Sequence, residues 1–461
     1  MQKLNTKYIF TISMVSAMGG LLFGYDWVVI GGAKPFYEQF FHISQSPFLQ
    51  GWAMSCALLG CLLGALTSGA FSDRLGRKKL LIFSAFLFTL SAIGTGASNN
   101  FTPFIIYRIL GGIGIGLASN LSPMYIAEVS PAAMRGKFVS LNQLTIVIGI
   151  LGAQIANWQI AQPVPEGATA ADILASWNGQ MAWRWMFWAE TLPAGAFFLL
   201  MFIVPESPRW LAKNGNENKV LSILSKIGGE EYAKKEYKSI HENLVHDEGR
   251  VNLKFLNSPG MRKILLIGIV VAAFQQWCGI NVIFNYAQEV FAAAGYGVSD
   301  TLFNIVVTGS VNLVFTFVAI YTVDKLGRRA LMIIGSAGLA GIYALMGAGY
   351  YFHVTGWPLL LLVVLGIACY AMSLAPVTWV VLSEIFPNRI RGAAMSFATA
   401  SLWIASFLLT YTFPLLNSAF GASGTFWLYG IICAAGLLFI YKRLPETKGK
   451  SLEEIEEEIL G

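Results

Sequence analysis

The run FQQWCGINVIFNYAQ, residues 274–288, places four carboxamides within eleven positions: Gln275, Gln276, Asn281 and Asn285. A carboxamide both donates and accepts hydrogen bonds, which matches the hydroxyl groups of a sugar. The plain alternative is amide glue between helices, but four amides in so short a run exceed what packing requires. A second feature is LLFGYDWVVIGG, residues 21–32, apolar on both sides of one carboxylate, Asp26. In hydrocarbon such a charge costs roughly 2.5–3.5 kcal/mol at a helix centre. Arg108, early in the apolar run YRILGGIGIG, is the natural partner. Two readings stay open. The pair is a static link between helices, or it is a proton switch. Desolvation raises a carboxylate's proton affinity and a nearby guanidinium lowers it, so a changing distance between the two would change the affinity. One proton crossing about 100 mV contributes roughly 2.3 kcal/mol. That would concentrate a neutral solute roughly 50-fold, at about 1.4 kcal/mol per tenfold.

These residues need elements that hold polar groups inside an apolar solvent. The 461-residue chain is 56% hydrophobic and 12% charged, about half the charged fraction of a soluble domain. Most of it is therefore expected in a bilayer, as an all-α membrane protein. A span needs about 20 apolar residues. Twelve candidates lie near 8–31, 48–71, 79–98, 102–123, 136–157, 183–204, 261–292, 302–323, 330–352, 357–382, 393–416 and 425–443. The first is too long for a cleaved leader and is read as a retained span. Lys and Arg cluster in 72–79, 205–263, 324–329, 384–391 and the C-terminal tail, and are absent from 158–182, 293–301, 353–356 and 417–424. That alternation puts both termini in the cytoplasm. Four units are expected: an N-terminal six-helix bundle at 1–204, a cytoplasmic linker with short amphipathic helices at 205–260, a C-terminal six-helix bundle at 261–443 and a tail at 444–461. The tail opens with a capping-box pattern, Ser451 to Glu454.

The halves repeat. AEVSPAAMRG follows span four and SEIFPNRIRG follows span ten, each with a Glu seven residues before an Arg: Glu128 and Arg135, Glu384 and Arg391. SDRLGRKK follows span two and VDKLGRRA follows span eight. Such matched motifs mark a duplicated transporter. With GGLLFGYD, GAFSDRLGRKK, YRILGGIGIG, PESPRWL, QQWCGIN, VDKLGRR and PETKGKSLEEIE, the chain resembles the sugar-porter branch of the major facilitator superfamily over nearly its whole length. The likeness is greatest to bacterial xylose–proton symporters, and more distant to facilitative glucose transporters. It implies two pseudo-symmetric six-helix bundles that rock about a central sugar site. It makes Asp26 the coupling residue with Arg108, and supports sugar contact by Gln275, Gln276 and Asn281. It adds Gln143, Asn312 and the aromatic Trp379 to the site, with Trp403 as a further aromatic. It also implies departures: Asn285 for a tyrosine, Leu402 for an amide, Leu374 and Ala375 before Pro376, and Ile150 for a glutamine.

The cytoplasmic charges, Asp73, Arg74, Arg77, Glu128, Arg135, Asp324, Arg328, Glu384 and Arg391, are expected to pair across helix ends and between halves. By resemblance they hold that side closed in outward-facing states. Their plain alternative is a set of topogenic charges, each surface pair contributing about 0–1 kcal/mol. GGIGIG at 111–116 mimics a dinucleotide loop but lacks a preceding strand, and its small residues suit close helix approach, as do Gly60 and Gly64. Five cysteines sit in apolar runs and four histidines form no cluster. No metal, cofactor, nucleic-acid or catalytic motif is found, so an enzyme is not expected. The expectation is a monomeric, proton-coupled importer of a pentose or hexose in the cell's inner membrane. Facilitated diffusion without proton coupling is the alternative, and a transporter-like sensor or a drug antiporter fits less well.

Overall fold

The computed structural model describes residues 4–131, 134–165, 167–246, 259–386 and 391–448. The expected tail helix at 451–461 lies outside them. All regular structure among the described residues is helical. Ten helices are long and apolar enough to cross a membrane. Span six is built from shorter pieces, and the helix Arg391–Arg443 turns back at Gly421 (φ 66°), so it holds spans eleven and twelve. All twelve expected spans are thus present. The chain is a multi-pass membrane protein with both termini on the cytoplasmic side.

Several boundaries differ from the sequence expectation, those of spans one and six among them. Span one was expected to close at residue 31, yet its helix runs Thr6–Phe40. Lys34 and Glu38 do not stop it, because they pair across one turn at 2.8 Å. At 1.5 Å per residue this helix is about 52 Å long, well beyond the ~30 Å hydrocarbon core. Span six starts earlier, with a π-helical turn Asn178–Ala182 that leads into Trp183–Ala189 and Thr191–Leu200. Its regular helix ends at Leu200 rather than 204 and gives way to turns that lead to Pro205.

Helices touch where side chains vanish. A Cβ on Gly112 of span four would overlap the carbonyl oxygen of Ala57, and one on Gly60 of span two that of Ile109. The GGIGIG run is a packing seam, as its composition suggested. Span seven breaks as expected: Gly279, at φ 86°, separates Pro259–Trp277 from Ile280–Asn285, a conformation that costs glycine little. The linker supplies helices Pro208–Lys213 and Glu217–His246, the latter kinked at Gly229. Val220, Leu224 and Ile227 pack under the cytoplasmic ends of spans one, four and five, with Ile9, Ile126 and Phe138.

The halves meet through their outer ends. Gly51 of span two lies against the backbone of Tyr411 in span eleven. Trp158 of span five packs on Phe303 of span eight, with ring centroids 5.6 Å apart. The amide of Val164 donates to Ser299 Oγ at 2.9 Å. The outer face is closed.

Candidate functional site

Asp26 and Arg108 meet, as their placement in spans one and four required. Their side chains form an ion pair, and Arg108 Nη2 also donates to the Asp26 carbonyl at 3.3 Å. Both residues are buried, 1% and 2% exposed. One Asp26 oxygen, Oδ2, and Arg108 Nε have no partner among the described residues. A third ionisable group stands beside the pair. Glu190, at the joint between the two helical pieces of span six, is 1% exposed and lies within electrostatic reach of both. Sequence reasoning missed it. The signal was a lone carboxylate inside the apolar run WMFWAETLPAGAFF.

The span-seven amides form a chain rather than an open row. Asn281 Nδ2 donates to Gln276 Oε1, Gln276 Nε2 to Gln275 Oε1, and Gln275 Nε2 to the hydroxyl of Tyr370, the last at 2.6 Å. All four residues are buried. The chain runs in one direction, so each amide keeps one N–H for another acceptor. Tyr370, on span ten, was not anticipated. Among the described contacts, Gln143, Asn312 and Trp379 are not hydrogen-bonded to this chain. Asn312 is buried, Gln143 half-buried, and Trp379 exposed at 38%. Trp403 is buried instead, 6.1 Å from the Trp27 ring, with its Nε1 unpartnered. Asn285 leaves the amide chain. It lines a narrow cavity with Trp27, Ile30, Cys61 and Arg108, beside the ion pair.

At the cytoplasmic end the pairing differs from the expected one. Glu128 takes Arg77 at two contacts of 3.0 Å, plus the hydroxyl of Ser207. Arg135 donates instead to the carbonyl of Ala127 at 3.1 Å. Arg77 also touches Asp73 at 3.4 Å. In the second half Glu384 takes Arg328 at 3.1 Å and the hydroxyl of Thr447 at 2.6 Å. The side chains of Asp324 and Arg391 lie outside the described residues. The ion pairs described here join residues of one half rather than crossing between halves, which fits a molecule whose outer end is the closed one.

Two further carboxylates repair glycine-capped helices. Gly76 and Gly327 precede spans three and nine and have no side chain to cap them. Glu206 accepts from the amides of Arg77 and Lys78 at 3.0 and 3.1 Å. Glu446 does the same for Arg328 and Arg329 at 3.0 and 3.1 Å. A carboxylate at a helix N-terminus is favoured by the dipole. Burial alone would raise the proton affinity of Glu446, but the backbone amides of Lys448, Arg328, Arg329 and Thr447 outweigh it and hold its pKa below the ordinary carboxylate value. The repeated Pro-Glu-Ser/Thr, at 205–207 and 445–447, was the signal for this pair.

A last cluster was missed because it lies beyond the window assigned to span one. Lys34 is buried and pairs with both Glu38 and Glu289, the latter on Ala287–Ala293 of span seven.

A family profile described as "Sugar (and other) transporter" matches residues 12–459. The arabinose-proton symporter of Bacillus subtilis is 41% identical over 450 residues, covering 97% of this chain and 94% of that protein. The D-xylose-proton symporter of Escherichia coli is 40% identical over 483 residues, covering 98% and 96%. The inward open conformation of the xylose transporter XylE from E. coli superimposes with a TM-score of 0.85 at 39% identity, covering 98% of this chain and 99% of that one.

Proposed function

The chain belongs to the sugar (and other) transporter family, and from that premise we propose that it is a proton-coupled monosaccharide importer of the inner membrane, acting as a single chain by alternating access. The buried Asp26–Arg108 pair carries this reading. An ion pair costs much to bury and more to break inside a low dielectric. A protein that separates it once per cycle alternates Asp26 between a paired anion and a group ready to take a proton. The cargo is a pentose or a hexose, since relatives of like identity are named for arabinose, xylose and glucose.

In this reading residues 1–204 and 261–443 are the two moving units, joined by the linker 205–260, with 444–461 as the tail. Gln275, Gln276 and Asn281 offer their remaining N–H groups to sugar oxygens, with Gln143 and Asn312 as further contacts. Trp379 supplies an aromatic face for the sugar's C–H surface. Asp73, Arg77, Glu128, Arg135, Asp324, Arg328, Glu384 and Arg391 form the cytoplasmic gate.

Uptake into proteoliposomes tests the reading. Wild-type protein is expected to accumulate a pentose or a hexose against its gradient when the outside is acidified, and Asp26→Asn to exchange sugar without accumulating it. Accumulation by Asp26→Asn would defeat the coupling role. Counterflow by the wild type that ignores the pH gradient would establish facilitated diffusion instead. A monosaccharide panel that shows no binding to purified protein would defeat the sugar assignment.

A further inference from the structure

Lys34 is 2% exposed, yet it is charged and sits in a membrane helix. It reaches Glu38 on its own helix at 2.8 Å and Glu289 on span seven. Its ammonium also lies 5.6 Å from the centre of the Tyr286 ring. Glu38 is held from a third side by Gln50 of span two, whose Nε2 donates to it at 3.3 Å and to the Ser44 carbonyl at 2.9 Å. Along the helix Lys34 stands eight residues outward of Asp26, about 12 Å. The cluster is therefore separate from the coupling pair.

Its setting is a close contact between halves. One turn before Lys34, a Cβ on Gly31 would stand 3.0 Å from the carbonyl oxygen of Phe284 and 3.1 Å from that of Asn285. Pro35 has no N–H, so the Gly31 carbonyl gives up its helical hydrogen bond at this same contact. Span seven thus touches span one just where it carries Asn285, and its next residues supply Tyr286 and Glu289. Lys34–Glu289 joins the two halves, whereas the ion pairs described at the cytoplasmic end stay within one half. Its two partners also differ in kind. Glu38 travels with Lys34 on one helix. Glu289 keeps its ammonium only while span seven lies against span one.

We infer that Lys34 is a positioning residue of transport: it seats the second half of span seven on span one and thereby closes the outer face over the site that holds Asn281 and Asn285. Removing one partner of a buried ion pair leaves the other charge uncompensated, which favours the arrangement that hydrates it. Here that arrangement is the outward-open one. The inference deepens the transport reading and rests on it for the uptake readout alone, since closure is measured without sugar.

The reporter is Ile30→Cys, a buried position in the cavity beside Asn285, with Cys56 and Cys61 changed to alanine. An impermeant thiol reagent is applied to intact cells. Lys34→Met and Glu289→Gln are each expected to speed labelling about tenfold, and Lys34→Arg to keep it within about twofold of the parent. Maximal uptake should fall about tenfold in the first two variants, with half-saturation by external sugar little changed. Unchanged labelling in Glu289→Gln overturns the inference, and that variant suffices if Lys34→Met does not reach the membrane. A raised half-saturation with unchanged labelling overturns it too, in favour of a direct sugar contact. Faster labelling in a protein that binds no monosaccharide would leave the closure intact and defeat only the sugar reading.

Discussion

The two halves are near copies at their cytoplasmic ends and unlike at their centres. In both, a carboxylate after span four or ten grips the arginine that opens span three or nine, at 3.0 and 3.1 Å. In both, a Glu after span six or twelve caps that same helix, and the following hydroxyl, Ser207 or Thr447, binds the gripping carboxylate. In mid-membrane the likeness stops. The first half buries Asp26, Arg108 and Glu190, while the second buries a chain of neutral amides ending on Tyr370. The contrast teaches a division of labour. A hinge works only if both plates carry it, so the duplicated part is retained on both sides. In the proposed function the ionisable groups of the first half serve the proton, and the amides of the second half, with Gln143 of the first, serve the sugar.

The largest effect should come from erasing the charged side of that contrast. Asp26→Asn should abolish sugar accumulation, a loss of roughly 50-fold at about 100 mV, while equilibrium exchange survives. Proteoliposome uptake with an imposed gradient measures both. The amide side should fail in the opposite way. Gln276→Leu removes the middle of the chain and leaves Gln275 Oε1 and Asn281 Nδ2 unpaired, which should weaken sugar binding roughly tenfold to a hundredfold. Calorimetry gives the affinity, and the proton-to-sugar ratio should not move.

The likeness between the cytoplasmic ends can be sharpened next. The Glu128 side chain is 10% exposed and that of Glu384 is 24% exposed. Glu128→Gln should therefore cost more stability than Glu384→Gln, about 2 against about 1 kcal/mol, read from thermal unfolding in detergent. Equal losses would mean that burial does not set the strength of these pairs. The smallest effect is acidic. Because the folded Glu446 carboxyl has its pKa lowered from 4.5, its stabilisation is full above that value and is lost as pH falls below it. The stability difference between wild type and Glu446→Gln should be flat near neutrality and shrink in acid, from a plateau below about 1 kcal/mol.

The fold was legible because bilayer physics writes it plainly. Apolar runs of fixed length and alternating Lys and Arg gave the spans and their direction, and Gly279 marked the break in span seven. Asp26 with Arg108 was legible for the same reason, since each needs a partner in hydrocarbon. What stayed hidden depended on contacts between distant segments. Tyr370 lies 95 residues from Gln275, and no local pattern announces a hydroxyl that ends an amide chain. Lys34 and Glu38 fell outside a window that counted apolar residues, although they lie on the same helix. Glu128 was expected to pair across helix ends, but its spacing did not name Arg77, which approaches from the start of span three. Helix ends, unlike helix middles, are arranged by whatever chain returns to them.

The carboxylates of Glu206 and Glu446 also have a mechanical meaning. Each follows the last helix of its half and is fastened to the first amides of the third helix of that half. A pull on the linker is therefore delivered at Glu206 to span three, and a pull on the tail at Glu446 to span nine. The chain outside the membrane is bolted to the bundles rather than hung from their edges. Force applied there should tilt a half as one rigid plate before it unwinds a single turn.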